Sequence, residues 1–305
     1  MMYSIFLNSL AQLILRSISV FILFHQVGSA AVLDAGAGYT CLVTSDHTIK
    51  CRGWWSRAKV EPPTNRHFSQ VTVGYSHGCG IDVNDSTVTC WGRDTDGEIN
   101  APTGKFSQIS AGGFHTCGIR PDQTVTCWGA DKPETNYGQA TSPTGTFIQV
   151  SAGRWYTCGI QTDGTVTCWG LNRYGETKPP PGRFTQISAA KLGWHTCGIK
   201  PDQTLVCWGL NDNEQSSPPT GTFSQVSAGK WYTCAIRTDD NTIACWGNDS
   251  HGQMTPPPGA FSYVSAGLFH TCGISIDNIP QCWGFSISGS NGISKEDILQ
   301  LNSEP

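Results

Sequence analysis

Apolar and polar positions along this chain alternate in short runs with the period of strands. In Cys117-Gly-Ile-Arg-Pro-Asp-Gln-Thr-Val-Thr-Cys127 two β-prone runs flank a polar, turn-forming centre, which predicts a hairpin. Placing Cys117 opposite Cys127 sets Ile119 against Val125 and leaves Pro121-Asp122-Gln123 as the loop. The equivalent loop of a later copy is Thr162-Asp163-Gly164, with glycine where a three-residue hairpin needs a left-handed residue. Two copies carry one extra residue between their cysteines, at Cys79/Cys90 and Cys234/Cys245. Same-face pairing survives there, Ile81 against Val88 and Ile236 against Ile243, with the loops expected at Asn84-Asp85 and Asp239-Asp240.

The hairpin belongs to a longer unit. Phe106-Ser-Gln-Ile-Ser-Ala-Gly112 recurs at Phe147, Phe223 and Phe261, with weaker copies at Phe68 and Phe184. Each is followed by a His- or Tyr-Thr-Cys-Gly-Ile-like run, a turn, and Thr-Val-Thr-Cys-Trp-Gly or a variant. The first cysteines, Cys41, Cys79, Cys117, Cys158, Cys197, Cys234 and Cys272, are spaced by 38, 38, 41, 39, 37 and 38 residues. This regularity defines seven repeats, at about 31–67, 68–105, 106–146, 147–183, 184–222, 223–260 and 261–305, and makes the chain a repeat architecture. Because the length changes are absorbed in the turns, each cysteine pair reads as a cross-strand disulfide: Cys41–Cys51, Cys79–Cys90, Cys117–Cys127, Cys158–Cys168, Cys197–Cys207, Cys234–Cys245 and Cys272–Cys282. Zinc sites use close Cys-x2-4-Cys pairs, which this chain lacks, so no metal is expected. The tryptophan after each second cysteine (Trp91, Trp128, Trp169, Trp208, Trp246, Trp283) falls on the opposite strand face. A sheet bulky on both faces must be covered on both, which packed blades achieve.

Composition agrees. Only 14% of the 305 residues are charged, and 35 Gly and 17 Pro suit short strands and tight turns. A net charge of −4 provides no phosphate-backbone footprint, so nucleic acid is not an expected partner. Residues 1–30 combine Arg16, an apolar run from Ile18 to Phe24, and Gly28-Ser29-Ala30. These are the parts of a secretory signal peptide, and the uninterrupted apolar run is too short to span a bilayer. A secreted, extracellular, monomeric protein with a disulfide framework follows.

The order Val-x-Ala-Gly, His-Thr, Trp-Gly and Gly-Gln, clearest at Trp169-Gly-Leu-Asn-Arg-Tyr-Gly175-Glu176 and Trp246-Gly-Asn-Asp-Ser-His-Gly252-Gln253, resembles the RCC1 repeat. The cysteine-bearing form is similar to the Crinkly4-type ectodomain and to β-lactamase inhibitor protein II. The resemblance implies an all-β, seven-bladed propeller with four-stranded blades, and a ring that the first and last repeats close by sharing a blade. Repeat one departs from the pattern: its Phe position is Ala30, and it has Trp54-Trp55 where others have Trp-Gly. The tail from Phe285 to Pro305, with Ile298-Leu-Gln-Leu301, is expected to supply a closing strand or to pack on repeat one.

Function is expected in the connection between Ala-Gly and His/Tyr-Thr-Cys, whose contents vary between constant flanks. It carries Phe114, Arg154-Trp155, Lys191 and Trp194, Lys230-Trp231, and Phe269. Aromatic and basic side chains on one rigid face are the makings of an interaction hot spot. These eight residues are therefore the expected partner-binding set, the partner being an extracellular protein or, alternatively, a glycan; capping of the blade is the alternative for Trp155, Trp194 and Trp231 and the favoured role of Phe114 and Phe269. The His/Tyr position (Tyr39, His77, His115, Tyr156, His195, Tyr232, His270) interchanges two residues with different metal chemistry, so it reads as structural hydrogen bonding. No nucleophile elbow, paired-carboxylate motif or phosphate loop is present; no cofactor is expected, and an enzyme is the less favoured alternative. Asn84 and Asn248 begin Asn-x-Ser sequons, candidate glycosylation sites.

Overall fold

The computed structural model describes residues 32–53 and 61–285. The expected signal segment, Ala30, Trp54-Trp55 and the tail beyond Phe285 lie outside the described residues. Seven three-stranded antiparallel sheets follow one another along the chain, and among the described residues no helix could cross a membrane. The fourth sheet is typical, with strands Phe147–Ala152, Tyr156–Gln161 and Val166–Gly170. Its second and third strands place Cys158 opposite Cys168 and Ile160 opposite Val166. All seven expected cysteine pairs are joined.

The three-residue hairpin loops form as the pattern requires, with Gln123 at φ +68° and Gly164 at +87° in the left-handed position. The two longer hairpins differ from expectation. Ile81 faces Val88 and Ile236 faces Ile243, but the ladder ends with Asp82 N–H donating to Thr87 O and Arg237 N–H to Thr242 O. Four residues, 83–86 and 238–241, therefore make each turn instead of two. The end of the turn is the same in both loop lengths. Asp85 and Asp240 accept from the backbone N–H of Thr87 and Thr242 as Asp122 and Asp163 do from Thr124 and Thr165, an Asx turn with a left-handed last residue, so the extra residue enters ahead of it.

Among the described residues each blade has three strands where the resemblance implies four. After the third strand the chain enters loops and proline runs such as Pro179-Pro180-Pro181 and Pro256-Pro257-Pro258, and proline has no N–H to give to a ladder.

Blades lock face to face. The disulfide and isoleucine side of one blade packs against the phenylalanine and tryptophan side of the next: Cys158, Ile160 and Tyr156 of blade four lie in one cluster with Phe184, Ile187 and Trp208 of blade five. Phe68, Phe106, Phe147, Phe223 and Phe261 are fully buried, each contributing about 1.5–3 kcal/mol by leaving water. The glycine after the first cysteine makes room for that ring. A Cβ at Gly159 would sit 2.6 Å from Phe147 Cδ1. Blade six has Ala235 there, and its Phe223–Trp246 centroids stand 6.5 Å apart, against 5.8–6.1 Å in the other Phe–Trp pairs.

Two hydrogen-bonded circles run through every interface. In the inner circle a first-strand side chain accepts from a backbone N–H of the next blade, as Ser110 Oγ does from Ala152 (3.0 Å) and Ser188 Oγ from Ala228 (2.9 Å). In the second, a His Nε2 meets a Thr Oγ1 of the next blade, as in His115–Thr157 (2.7 Å) and His195–Thr233 (2.8 Å), or a Tyr hydroxyl donates to a neighbouring carbonyl, as in Tyr156 to His195 O. The junction of blade seven with blade one repeats both: Ala35 N–H donates to Ser265 Oγ (3.0 Å), and Thr40 Oγ1 lies 2.8 Å from His270 Nε2. Among the described residues the ring thus closes blade against blade; the shared blade that the resemblance suggests would draw on the tail, which lies outside them. Leu33–Ala35 forms the first strand of blade one from its own repeat, and Leu33 and Leu42 pack on Cys272.

Candidate recognition face

The connections from first to second strand all open at the same end of the ring, and their side chains meet there. Tyr75 contacts Phe114 (5.8 Å between centroids), Phe114 stacks near Trp155 (6.2 Å, 19°), and Trp155 meets Trp194 edge-on (5.0 Å, 67°). A second group joins Trp231 to Phe269 at 5.7 Å, and Phe269 to Phe285 at 6.1 Å. All of these rings are half-buried except Phe285, which is exposed. The tryptophans pack sideways on rings of neighbouring loops.

Cations overlie the rings. The Arg154 guanidinium carbon sits 4.4 Å from the Trp155 centroid and 5.4 Å from that of Trp194. Lys230 Nζ sits 3.6 Å above Trp231 and 5.5 Å from Phe269. These are cation–π distances. Burial lowers the pKa of Arg154, and burial together with the charge of Arg154 lowers that of Lys230. Of the expected set, seven residues thus fall into two adjoining aromatic groups.

Lys191 behaves differently. The blade-five connection is two residues longer, and Lys191 uses that reach to cross the ring mouth to the buried Asp34 of blade one, forming an ion pair. Asp34 also accepts from Thr72 Oγ1, Val73 N–H and Ser265 Oγ. It is the acidic member of an inner circle otherwise made of hydroxyls. The Lys191 charge is thereby neutralised within the protein.

Sequence reasoning omitted Tyr137, Tyr174 and His251 from this face. They lie 5.5 Å from Trp155, 5.6 Å from Trp194 and 4.4 Å from Phe269. Each immediately precedes a Gly-Gln or Gly-Glu pair, and that shared position is the signal that could have found them. The Gln or Glu is buried and caps its own loop, as Glu176 accepts from Arg173 and Tyr174 N–H. Its backbone carbonyl accepts from the next blade's tryptophan, as Glu176 O does from Trp208 Nε1 (2.9 Å). The Trp-Gly and Gly-Gln signatures are therefore two halves of one inter-blade latch.

The His positions are structural in geometry. His77, His115 and His195 are fully buried. Burial lowers their pKa to about 4, 3 and 3, with the charge of Lys191 adding to the effect at His77 and that of His77 at His115.

Residues 106–139, 147–176 and 223–253 match the Regulator of chromosome condensation (RCC1) repeat. The CRINKLY WD40 ectodomain of the Arabidopsis thaliana receptor kinase ACR4 is similar at 27% identity over 88% of this chain and 100% of its own, with a TM-score of 0.71. The entire ectodomain of the Physcomitrella patens receptor kinase CR4 is similar at 26% identity over 86% of this chain and 76% of its own, with a TM-score of 0.71. Yeast RCC1 (Prp20), solved bound to Kap60, shares 15% identity over 88% of this chain and 82% of its own, with a TM-score of 0.67. That last likeness is one of fold.

Proposed function

The chain is an RCC1-like repeat propeller, and on that premise we infer that it is an extracellular protein-recognition module whose contact surface is the aromatic and cationic face of the ring mouth. The observation that carries this reading is the convergence of loop residues from different repeats into two ring-and-cation groups on a rigid scaffold. Aromatic rings with arginine, held in place before binding, lose little entropy on contact. Yeast RCC1 has been solved with a protein partner, and the plant relatives are receptor ectodomains, which supports both protein binding and an extracellular setting. Seven disulfides fit the same setting.

Binding is favoured over catalysis because the loops of this face bring together aromatic rings and cations, while His77, His115 and His195 are buried and hydrogen-bonded between blades. A lectin role is less well supported. Sugar stacking needs an open ring face, whereas Trp155 is contacted by Phe114, Tyr137, Trp194 and Arg154.

The test is affinity capture from the native extracellular fluid by the wild type and by a Trp155→Ala/Trp194→Ala/Trp231→Ala variant. The wild type is expected to retain a reproducible protein partner that the folded variant loses; undiminished capture by the variant refutes the assignment of this face. In the secreted protein, N-terminal sequencing is expected to start at Ala31. Glycosidase-sensitive mass is expected at the exposed hairpin-tip Asn84 and at Asn248.

A further inference from the structure

Arg154 and Lys230 are half-buried: Arg154 lies over Trp155 and Trp194 and Lys230 over Trp231. The Lys230 carbonyl lies against Gly193 beside Trp194, and the charge of Arg154 disfavours that of Lys230. Neither forms an ion pair with a carboxylate among the described residues. Lys191, on the same mouth, shows how the fold treats a cation that it neutralises itself: it is carried across the ring to Asp34. Two half-desolvated cations kept together without a counter-charge cost free energy that a stability-selected surface would avoid.

The remaining polar chemistry points the same way. Trp155 Nε1 is a buried N–H with no acceptor. Aromatic rims carry the positive part of the ring quadrupole, and the Trp155–Trp194 and Tyr174–Trp194 pairs are edge-on at 67° and 70°. The mouth therefore offers cations and donors, flanked on two sides by apolar rings, and what complements it is an acceptor-rich, negatively charged group with apolar neighbours. In a chain of net charge −4 this is a local exception to the overall sign.

Resting on the recognition reading above, we propose that the ring mouth takes an acidic segment of the partner protein, with an Asp or Glu side chain held between Arg154 and Lys230 and its apolar neighbours on the two aromatic groups. An anionic glycan shares the charge but wants flat ring faces, and Arg154 and Lys230 lie over the faces of Trp155 and Trp231.

The experiment is selection of a random 12-residue peptide display library on the full secreted chain, followed by titration of the selected peptides. Enrichment of Asp or Glu beside apolar residues is expected. A folded Arg154→Gln/Lys230→Gln variant is expected to bind the selected peptides at least tenfold more weakly, and a Glu→Gln peptide to bind wild type and variant alike. Selection of peptides without acidic positions, or of none while a sulfated oligosaccharide binds, overturns the proposal. So does failure of every peptide because a second copy of the chain, or its own residues 286–305 with Glu296 and Asp297, already holds the mouth. These results are separable from failure of the recognition reading. If the triple tryptophan variant keeps its natural partner, the face itself is wrong; if it loses that partner while the charge variant keeps it, only the acidic segment is wrong.

Discussion

Acidification should unfold this protein through its interior histidines. His77, His115 and His195 have no exposed surface, and each ring joins two blades through Nε2 and a threonine hydroxyl. Their Nδ1 atoms are buried without a partner, so a second proton would enter with nothing to accept from it. Folded pKa values of about 4, 3 and 3 lie below the unfolded value of about 6.5. The contribution to stability is therefore complete above about pH 6.5 and is lost as pH falls from there toward 3–4. Near pH 5.5 the unfolded chain binds close to three more protons at these sites than the folded one. With 1.36 kcal/mol per proton per pH unit, stability should fall by about 4 kcal/mol per unit. His270 is only half-buried, but burial likewise lowers its pKa to about 4, so it adds up to about one further proton in the same window. Carboxylates contribute little in this window, because their unfolded values lie near 4. The assay is equilibrium guanidinium unfolding with disulfides intact, at intervals from pH 7.5 to 5. A His115→Tyr variant, which installs the residue that three other blades use, should lower the slope by about a quarter to a third. A slope at or below one proton's worth, or no change in the variant, would refute the account.

Two further outcomes test the scaffold. Folded secreted protein should show no reactive thiols, and a Cys158→Ser/Cys168→Ser variant should lose up to about 3 kcal/mol against denaturant, the entropy of closing a ten-residue loop. An Asp34→Ala variant removes the acceptor shared by Lys191, Thr72, Val73 and Ser265. It should cost about 3–5 kcal/mol, as for other broken buried pairs, with a lower thermal midpoint, and a Lys191→Met second substitution should restore part of that.

Within one repeat, sequence was a sufficient guide. Cysteine register, strand alternation, the left-handed turn residue and the opposition of cysteine to tryptophan are consequences of a period of two, and a hairpin expresses that period locally. Even blade one was legible in this sense: Leu42 stands where most other repeats need glycine, in the one repeat whose Phe position is alanine. The turn lengths at 83–86 and 238–241 were misjudged because both loop lengths keep the same Asx-turn end with a left-handed last residue, so an added residue lengthens the loop instead of extending the ladder.

Between repeats, the chain's order gave no such guide. Asp34 and Lys191 are 157 residues apart and meet only because the closed ring sets blade five across from blade one. Tyr137, Tyr174 and His251 belong to a different loop of the repeat from Trp155, Trp194 and Phe269, the rings that they touch. Phe285 reaches Phe269 only after the last blade is complete. Sequence alone determined the strands, the disulfides and the number of blades, since each depends on neighbours within about forty residues. Tertiary structure decided that each sheet has three strands among the described residues, that blade seven locks onto blade one as the others lock to each other, and that two cations share the mouth uncompensated while a third is neutralised. Those outcomes depend on which loops the closed circle brings side by side, and no local period encodes that.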